Sequence, residues 1–512
     1  MPLAVALLLL AAQDGPVARW TFDLDWADSG PQSLPTRTEG RLETMDSPIG
    51  RGGRLAVFNG VDAWLEIDPP GQLGAGAGDF SLSAWIFVLD RRPATLVGRP
   101  SWSIDLEEGG AIRFSSGSGT VTSPAGTCPP GQWNHVLVAI RRADRSRIFV
   151  NGEIVATGEV RPGDLDPARS PLWIGKGRDN PRLFGGLIDE VELYARAIDA
   201  PEAARLTDRG MPWLRPKAHA RTPFNGKFEL LPEDVVAFTG GEDARVSQDL
   251  GYLETLLSLS AVGRRVHFRS MAWEGDTVYE QPRPLNFGSW TDQFRRSGTS
   301  VIVAQFGQVE ALEGKPGVER FAAAYESLLS LFAKSTRRII LVSPAPFGKG
   351  VAQGPPLPAK NEDLPLYVGA VRNIAAKNGY LFVDLSTPAM SGEDLSRDGL
   401  HRSGAGQWLA ARETARQLEI PGLSDLDAPD AGGAFRRESL ETLRSAIRAK
   451  NRFWNDSWRP ANWAFLNGDR TEQPSSRDHV DRRIRWFPAE IQMHSALLRR
   501  EEDRIEGLLE KK

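Results

Sequence analysis

The feature that most restricts this chain of 512 residues is a change of hydrophobic period near residue 209. Before it, short runs alternate apolar with polar side chains and are separated by Gly, Pro, Asp and Asn, with no helical stretch between them. The runs fall at residues 18–22, 54–58, 63–67, 80–88, 134–140, 147–150 and 187–194. Period two is the signature of half-buried antiparallel strands. Asn151-Gly152 lies between two such runs, and that dipeptide accepts the positive φ angles of a two-residue hairpin. Strands without helices predict an all-β sandwich over residues 17–208.

Residues 209–227 carry three prolines and no periodicity, and are expected to be a linker. Beyond them strands and helices alternate: strands at 235–238, 266–269, 301–306, 338–342 and 381–385, helices at 251–260, 318–333 and 364–378. That spacing predicts a parallel sheet covered on both faces, over residues 228–422. Residues 423–512 follow as a Trp- and Arg-rich helical extension, with helices expected at 436–454 and 489–512. The expected fold class is thus multidomain: a jellyroll sandwich, a flavodoxin-like α/β domain and a helical extension.

Two or three domains suit this length, since one hydrophobic core does not grow to such a size. The formal net charge of −4 gives no basic footprint for nucleic acid. Residues 1–16 hold an apolar run from Leu3 to Ala12 and then turn polar, which reads as a signal peptide and places the chain in the periplasm or outside the cell. No stretch is apolar over a bilayer's thickness, so no membrane span is expected. One cysteine, Cys128, excludes an internal disulfide and any cysteine-based metal cluster.

The landmarks of the first half come in a specific order: W-T-F-D at 20–23, V-F-N-G-V-D-A-W-L-E-I at 57–67, F-S-L-S-A-W-I at 80–86, G-Q-W-N-H-V at 131–136, I-F-V-N-G at 148–152, L-W-I-G at 172–175 and G-G-L-I-D-E-V-E-L-Y-A-R-A-I at 185–198. This half resembles the concanavalin-like laminin-G jellyroll. Trp85, Trp133 and Trp173 are expected to face the core between two sheets. The resemblance implies a polysaccharide or glycoconjugate as partner, with Trp64 and Trp102 as candidate sugar-stacking residues. It leaves room for a structural calcium near Asp179; no other cofactor is expected.

The second half contains S-R-D-G-L-H-R-S-G-A-G-Q-W-L-A at 396–410. His401 lies three positions after Asp398, so one loop presents the imidazole while the carboxylate fixes its tautomer. The block is similar to the D-x-x-H block of SGNH (GDSL-type) ester hydrolases. The resemblance implies an exported ester hydrolase, a carbohydrate esterase being the natural substrate class. It assigns His401 as base, Asp398 as its orienting acid, and Gly275 and Gly307 as backbone donors facing the substrate. The family's serine position falls on Glu242, and its oxyanion-hole asparagine on Val309. Three readings stay open: a catalytically degenerate binding protein; a different nucleophile, Ser247 or Ser270; or water activated by Glu242, Glu274 and Asp276 with His401, directly or through a metal. Residues 450–479 look similar to an extension of SGNH-like proteins in planctomycetes.

Overall fold

A computed structural model describes residues 15–511, apart from 51, 70–72, 74–77, 90–91, 162–164, 166–169, 179–181, 216, 350–356, 391, 393–394 and 424–425. The apolar run of the expected signal peptide and Asp179 lie outside the described residues. The chain divides into two compact units. Residues up to Arg215 join with 469–496, and residues 216–468 join with 497–512. The extension therefore does not form a unit of its own.

The first unit contains two antiparallel sheets. One has the order β13 (Glu153–Gly158), β12 (Ser146–Val150), β11 (Trp133–Ile140), β6 (Phe80–Val88), β15 (Gly185–Tyr194), β4 (Arg54–Asn59), β3 (Glu43–Asp46), and β1 (Ala18–Trp20) also pairs with β15. The other has the order β10 (Gly119–Thr122), β9 (Ile112–Ser116), β8 (Trp102–Leu106), β7 (Ala94–Arg99), β14 (Leu172–Ile174), β5 (Trp64–Ile67), β2 (Thr36–Glu39). Asn151 and Gly152 join β12 to β13 with φ of 51° and 79°, the positive pair expected of that turn. Between the sheets, Leu82, Ala84, Ile86 and Val88 of β6 interleave with Leu65, Ile67, Ile104 and Phe114.

The sheet containing β6 is buried on both faces. Helix α1 (Ala200–Gly210) lies across its outer side, capped by Asp199, whose side chain accepts from the Glu202 N–H at 2.9 Å. Leu137, Ala139, Phe149 and Tyr194 pack there with Ala203 and Leu206. Trp85 belongs to this outer layer: a Cβ added to Gly210 would sit 2.4 Å from its indole, so only glycine fits that helical position. Trp133 shares the face, its ring 5.6 Å from Phe87. Both tryptophans are buried, but under α1's side of the sheet rather than between the sheets. Strand parity is the cause, because Ile86 and Ala84 occupy the inward positions.

The second unit has a parallel sheet in the order β17 (His267–Ser270), β16 (Val235–Gly240), β18 (Val301–Gln305), β19 (Ile339–Val342), β20 (Leu381–Val383). Val236 and Phe238 of β16 point to a core shared with Leu256 of α3 (Tyr252–Leu259) and Trp408, whereas Ala237 joins Ile302, Phe321 and Tyr325 on the opposite face. Helix α2 (Glu242–Leu250) starts directly after β16, and Gly251, at φ 72°, breaks it from α3. Further helices are α4 (Trp290–Ser297), α5 (Val318–Phe332), α6 (Leu364–Asn378) and α7 (Gly404–Gln417).

Residues 218–221, expected as linker, form a 3₁₀ turn that docks on this unit. The Ala220 carbonyl accepts from the Arg337 N–H at 2.7 Å and the Thr336 hydroxyl at 3.0 Å. Helix α8 (Glu438–Trp458) braces the β17 edge: Lys450 Nζ donates to the Phe268 carbonyl at 3.0 Å and Trp454 Nε1 to that of Ser270 at 2.6 Å. Lys450 also pairs with Glu254 at 2.6 Å, both side chains being almost wholly buried. Helix α9 (Met493–Glu510) brings Leu509 against Leu443 and Ile447 of α8.

Candidate functional site

Strand order in the second unit reverses direction between β16 and β18, and ligands of open α/β sheets sit outside the strand C-termini at such a switch point. A shallow open cleft lies there, formed by the ends of β16 and β18 and by the loop carrying His401. Gly240 ends β16 at φ 146°, and a Cβ on it would meet the Gln305 carbonyl at 2.3 Å. Glycine at this position lets the two strand ends come together. Glu242 follows as the first residue of α2 and lines the cleft with Gln305, Gln308, Val309 and His401.

The His401 loop is internally braced. Arg397 N–H donates to the His401 carbonyl at 2.8 Å, and the Ser396 hydroxyl receives the Gly399 N–H at 2.7 Å. Ser403 caps α7 by accepting from the Gly406 N–H at 3.1 Å. Asp398 Oδ1 accepts the backbone N–H groups of Leu400 at 3.1 Å and His401 at 2.8 Å, while Oδ2 lies 2.6 Å from His401 Nδ1. Burial pushes the Asp398 carboxyl up, but these hydrogen bonds from His401 and Leu400 outweigh it and hold the group below its ordinary range. Nδ1 being engaged, Nε2 is the ring atom left for the cleft.

A second contact ties the histidine loop to α2. Arg402 Nη2 lies 3.2 Å from Asp243 Oδ2, with both side chains at most 10% exposed. Gln407 of α7 adds donations to the Asp243 side chain at 3.2 Å and its carbonyl at 3.3 Å. This ion pair joins the immediate neighbours of Glu242 and His401. Neither Asp243 nor Arg402 was singled out in the sequence, although an Glu-Asp doublet opposite a His-Arg doublet is a usable signal.

The expected backbone donors are placed differently from the sequence-based assignment. Gly307 lines the cleft, but its N–H is given to Glu310 Oε2 at 2.9 Å, and Glu310 Oε1 takes the Val278 N–H at 2.8 Å. Burial raises the Glu310 carboxyl, partly offset by these backbone bonds. Gly275 sits in an exposed turn at φ 81° and is not a lining residue. Its neighbour Asp276 is fully buried and held by Arg283 through two contacts of 2.7 Å. Glu274 pairs instead with Arg459, outside the cleft.

No serine, threonine, tyrosine, cysteine, lysine or arginine is among the cleft's lining residues. Ser247 points to a separate pocket beside Gln248 and Gln407. Ser270 is 7% exposed at the end of β17, away from the cleft. Neither hydroxyl is therefore within the wall that His401 faces. Of the four carboxylates on that wall, Asp243, Asp276 and Glu310 are each hydrogen-bonded or paired, whereas among the described residues none engages Glu242. Among the described residues no group of three or more His, Cys, Asp or Glu could hold a metal. No helix among them is long and apolar enough to cross a membrane.

In the first unit, Trp64 and Trp102 part company. Trp102 is 3% exposed and packs between the sheets, its ring 5.6 Å from Phe80 and 6.1 Å from Phe114. It has no face to offer a sugar. Its inward position follows from parity with Ile104 and Leu106 on β8. Trp64 is half-buried on the outer face of β5, with Lys176 Nζ 4.0 Å from its ring centroid. Trp173 is also half-buried rather than in the core, and stands beside the same lysine at 5.6 Å. The two indoles share this face because Trp173 pairs with Glu66, two residues from Trp64.

Among solved structures, the chain is similar to domain 4 of AbnA, a GH43 extracellular arabinanase from Geobacillus stearothermophilus, in complex with arabinotriose. The identity is 23% and the TM-score 0.31, covering 38% of this chain and 98% of that one. It is also similar to the binding domain of botulinum neurotoxin DC in complex with rat synaptotagmin II, at 15% identity and TM-score 0.33, and to the same domain in complex with SialylT, at 14% and 0.32. Each covers 38% of this chain and 52% of the toxin domain, so the chain spans about half the length of those domains. No curated protein matches the chain. The family model Laminin_G_3, described as the concanavalin A-like lectin/glucanases superfamily, matches residues 59–204. Residues 59–204 are a concanavalin A-like jellyroll of the laminin-G type.

Proposed function

We propose that this chain is an exported glycan-recognising protein in which the jellyroll holds polysaccharide and the α/β unit, of SGNH type with the flavodoxin-like strand order 2-1-3-4-5, has left serine ester hydrolysis behind. One observation carries this reading: the wall that His401 faces holds no hydroxyl or thiol. Acyl transfer needs a nucleophile beside its base. It also needs donors aimed at the developing oxyanion, and Gly307 has given its N–H to Glu310 while Val309 has none to offer from its side chain. On the jellyroll, Trp64 and Trp173 stand half-buried on one outer face with Lys176 against the Trp64 ring, and a pyranose would stack there through its C–H face beside that lysine.

Affinity electrophoresis over a panel of neutral and acidic polysaccharides tests the reading. Retardation by at least one of them, lost in Trp64→Ala, is the expected result. No retardation with any polysaccharide, calcium present or absent, overturns it.

The intact Asp398–His401 pair favours a second reading, a carbohydrate esterase that uses a nucleophile brought in by substrate or water. Hydrolysis of acetylated sugars that disappears in His401→Ala would support it.

A further inference from the structure

We propose that the α/β cleft cleaves acetals rather than esters, with Glu242 as the nucleophile and His401 as the acid and then the base. Glu242 is the cleft carboxylate that no neighbour engages, and it stands at the first turn of α2 on the same wall as His401. The Asp243–Arg402 ion pair fixes the residues next to both of them.

The chemistry separates the two substrate classes. A carboxylate that attacks an ester forms an anhydride, and the tetrahedral species expels carboxylate far more readily than alkoxide, so the reaction runs backwards. Ester attack also builds negative charge, and the Gly307 N–H on this wall is already given to Glu310. Displacement at an acetal carbon builds positive charge in an oxocarbenium-like transition state, and carboxylates are the groups that perform it. A wall with neither lysine nor arginine suits that charge. Restricting the acetal to a glycoside rests on the glycan reading of the jellyroll; the chemistry of the cleft does not.

In the first step a Glu242 oxygen bonds to the anomeric carbon and the bond to the aglycone oxygen breaks. Protonated His401 gives its Nε2 proton to that oxygen, and the aglycone leaves as an alcohol. In the second step neutral His401 takes a proton from water, whose oxygen bonds to the anomeric carbon as the bond to Glu242 breaks. Carboxylate and imidazolium are restored, and the sum is glycoside plus water giving sugar plus alcohol. Asp398 at 2.6 Å stabilises the imidazolium that precedes the first step and that the second step restores.

The test treats the full chain with a panel of cyclitol epoxides of differing ring configuration and with dinitrophenyl 2-deoxy-2-fluoroglycosides, read by intact mass and peptide mapping. One adduct per chain on Glu242 is expected, absent in Glu242→Gln. In His401→Gln the epoxide should react about 10²-fold more slowly, because the ring oxygen loses its proton donor. Circular dichroism confirms that both variants fold, and if Glu242→Gln does not, the mapped site and the His401→Gln rate still decide. No adduct across the panel, an adduct elsewhere, or a Glu242 adduct formed equally fast in His401→Gln overturns the proposal. Epoxide labelling needs no ligand on the jellyroll, so its failure is distinct from a failure of polysaccharide retardation.

Discussion

Glu310 takes the backbone N–H of Gly307 at 2.9 Å, three residues upstream of itself. The contact turns what the sequence offers as an oxyanion donor into part of the loop's own scaffold. Glu310 is 3% exposed, and its other oxygen is held by the Val278 N–H, so the carboxylate stitches the loop after β18 to the segment after β17. These bonds hold the loop in place and leave the Gly307 N–H unavailable to a ligand.

The Asp243–Arg402 pair should behave as a buried ion pair whose loss strands a charge. Arg402→Ala leaves Asp243 with Gln407 as its remaining side-chain donor, and is expected to cost about 3–5 kcal/mol in urea unfolding. Exchange broadening of the His401 ring resonances should accompany it. A loss below about 1 kcal/mol with unchanged His401 signals would show that the pair does not organise the cleft.

The two tryptophans proposed for sugar contact should separate cleanly. Trp102→Ala empties a place between the sheets and is expected to cost about 3–5 kcal/mol, lowering the unfolding midpoint. Trp64→Ala, at a half-buried outer position, should change stability far less while reducing polysaccharide retardation. Equal effects of both variants on retardation, at matched folded fraction, would contradict the placement.

A buried histidine should contribute to the acid sensitivity of the first unit. His135 lies between the Ser83 hydroxyl and the Thr207 hydroxyl, each 2.8 Å from a ring nitrogen, and burial, helped by the nearby Arg209 charge, pushes it down to about 3. In the unfolded chain an imidazole titrates near ~6.5. Its neutral form therefore contributes fully above about pH 6.5, and that contribution falls as the pH drops toward 3, by about 1.4 kcal/mol per pH unit. Between pH 6.5 and 5, before most carboxylates protonate, His135→Gln should flatten the dependence of the urea midpoint on pH. An unchanged slope would assign the acid sensitivity to another group.

The architecture was legible where one side of an element decides its pattern. Residues 364–378 read as a helix and fold as α6 over the same span, because Leu364, Val368, Val371 and Ile374 lie on one apolar stripe. Asn151-Gly152 read as a hairpin because few residues tolerate two positive φ angles in succession. Trp85 and Trp133 were assigned to the wrong face because β6 and β11 are buried on both, and the outer burial comes from the docking of α1, which no pattern within either strand records. Trp102 was offered as a sugar-stacking residue although Ile104 and Leu106, which share its parity, mark an inward position.

The site was legible only where its chemistry lies within one loop. Asp398 and His401 are three residues apart and their contact follows from that spacing. The capture of Gly307's N–H and the Asp243–Arg402 pair depend on how separate loops meet at the strand ends, which no local pattern records.

The central claim is that the cleft beside His401 holds no acyl-accepting hydroxyl. Incubating the full chain with a fluorophosphonate, which labels activated serines, and then measuring the intact mass tests it most directly. The account predicts an unmodified chain after exposure that labels a serine esterase to completion. A single phosphonate adduct that maps to Ser247, Ser270 or any other serine, and that is lost in His401→Ala, would contradict it.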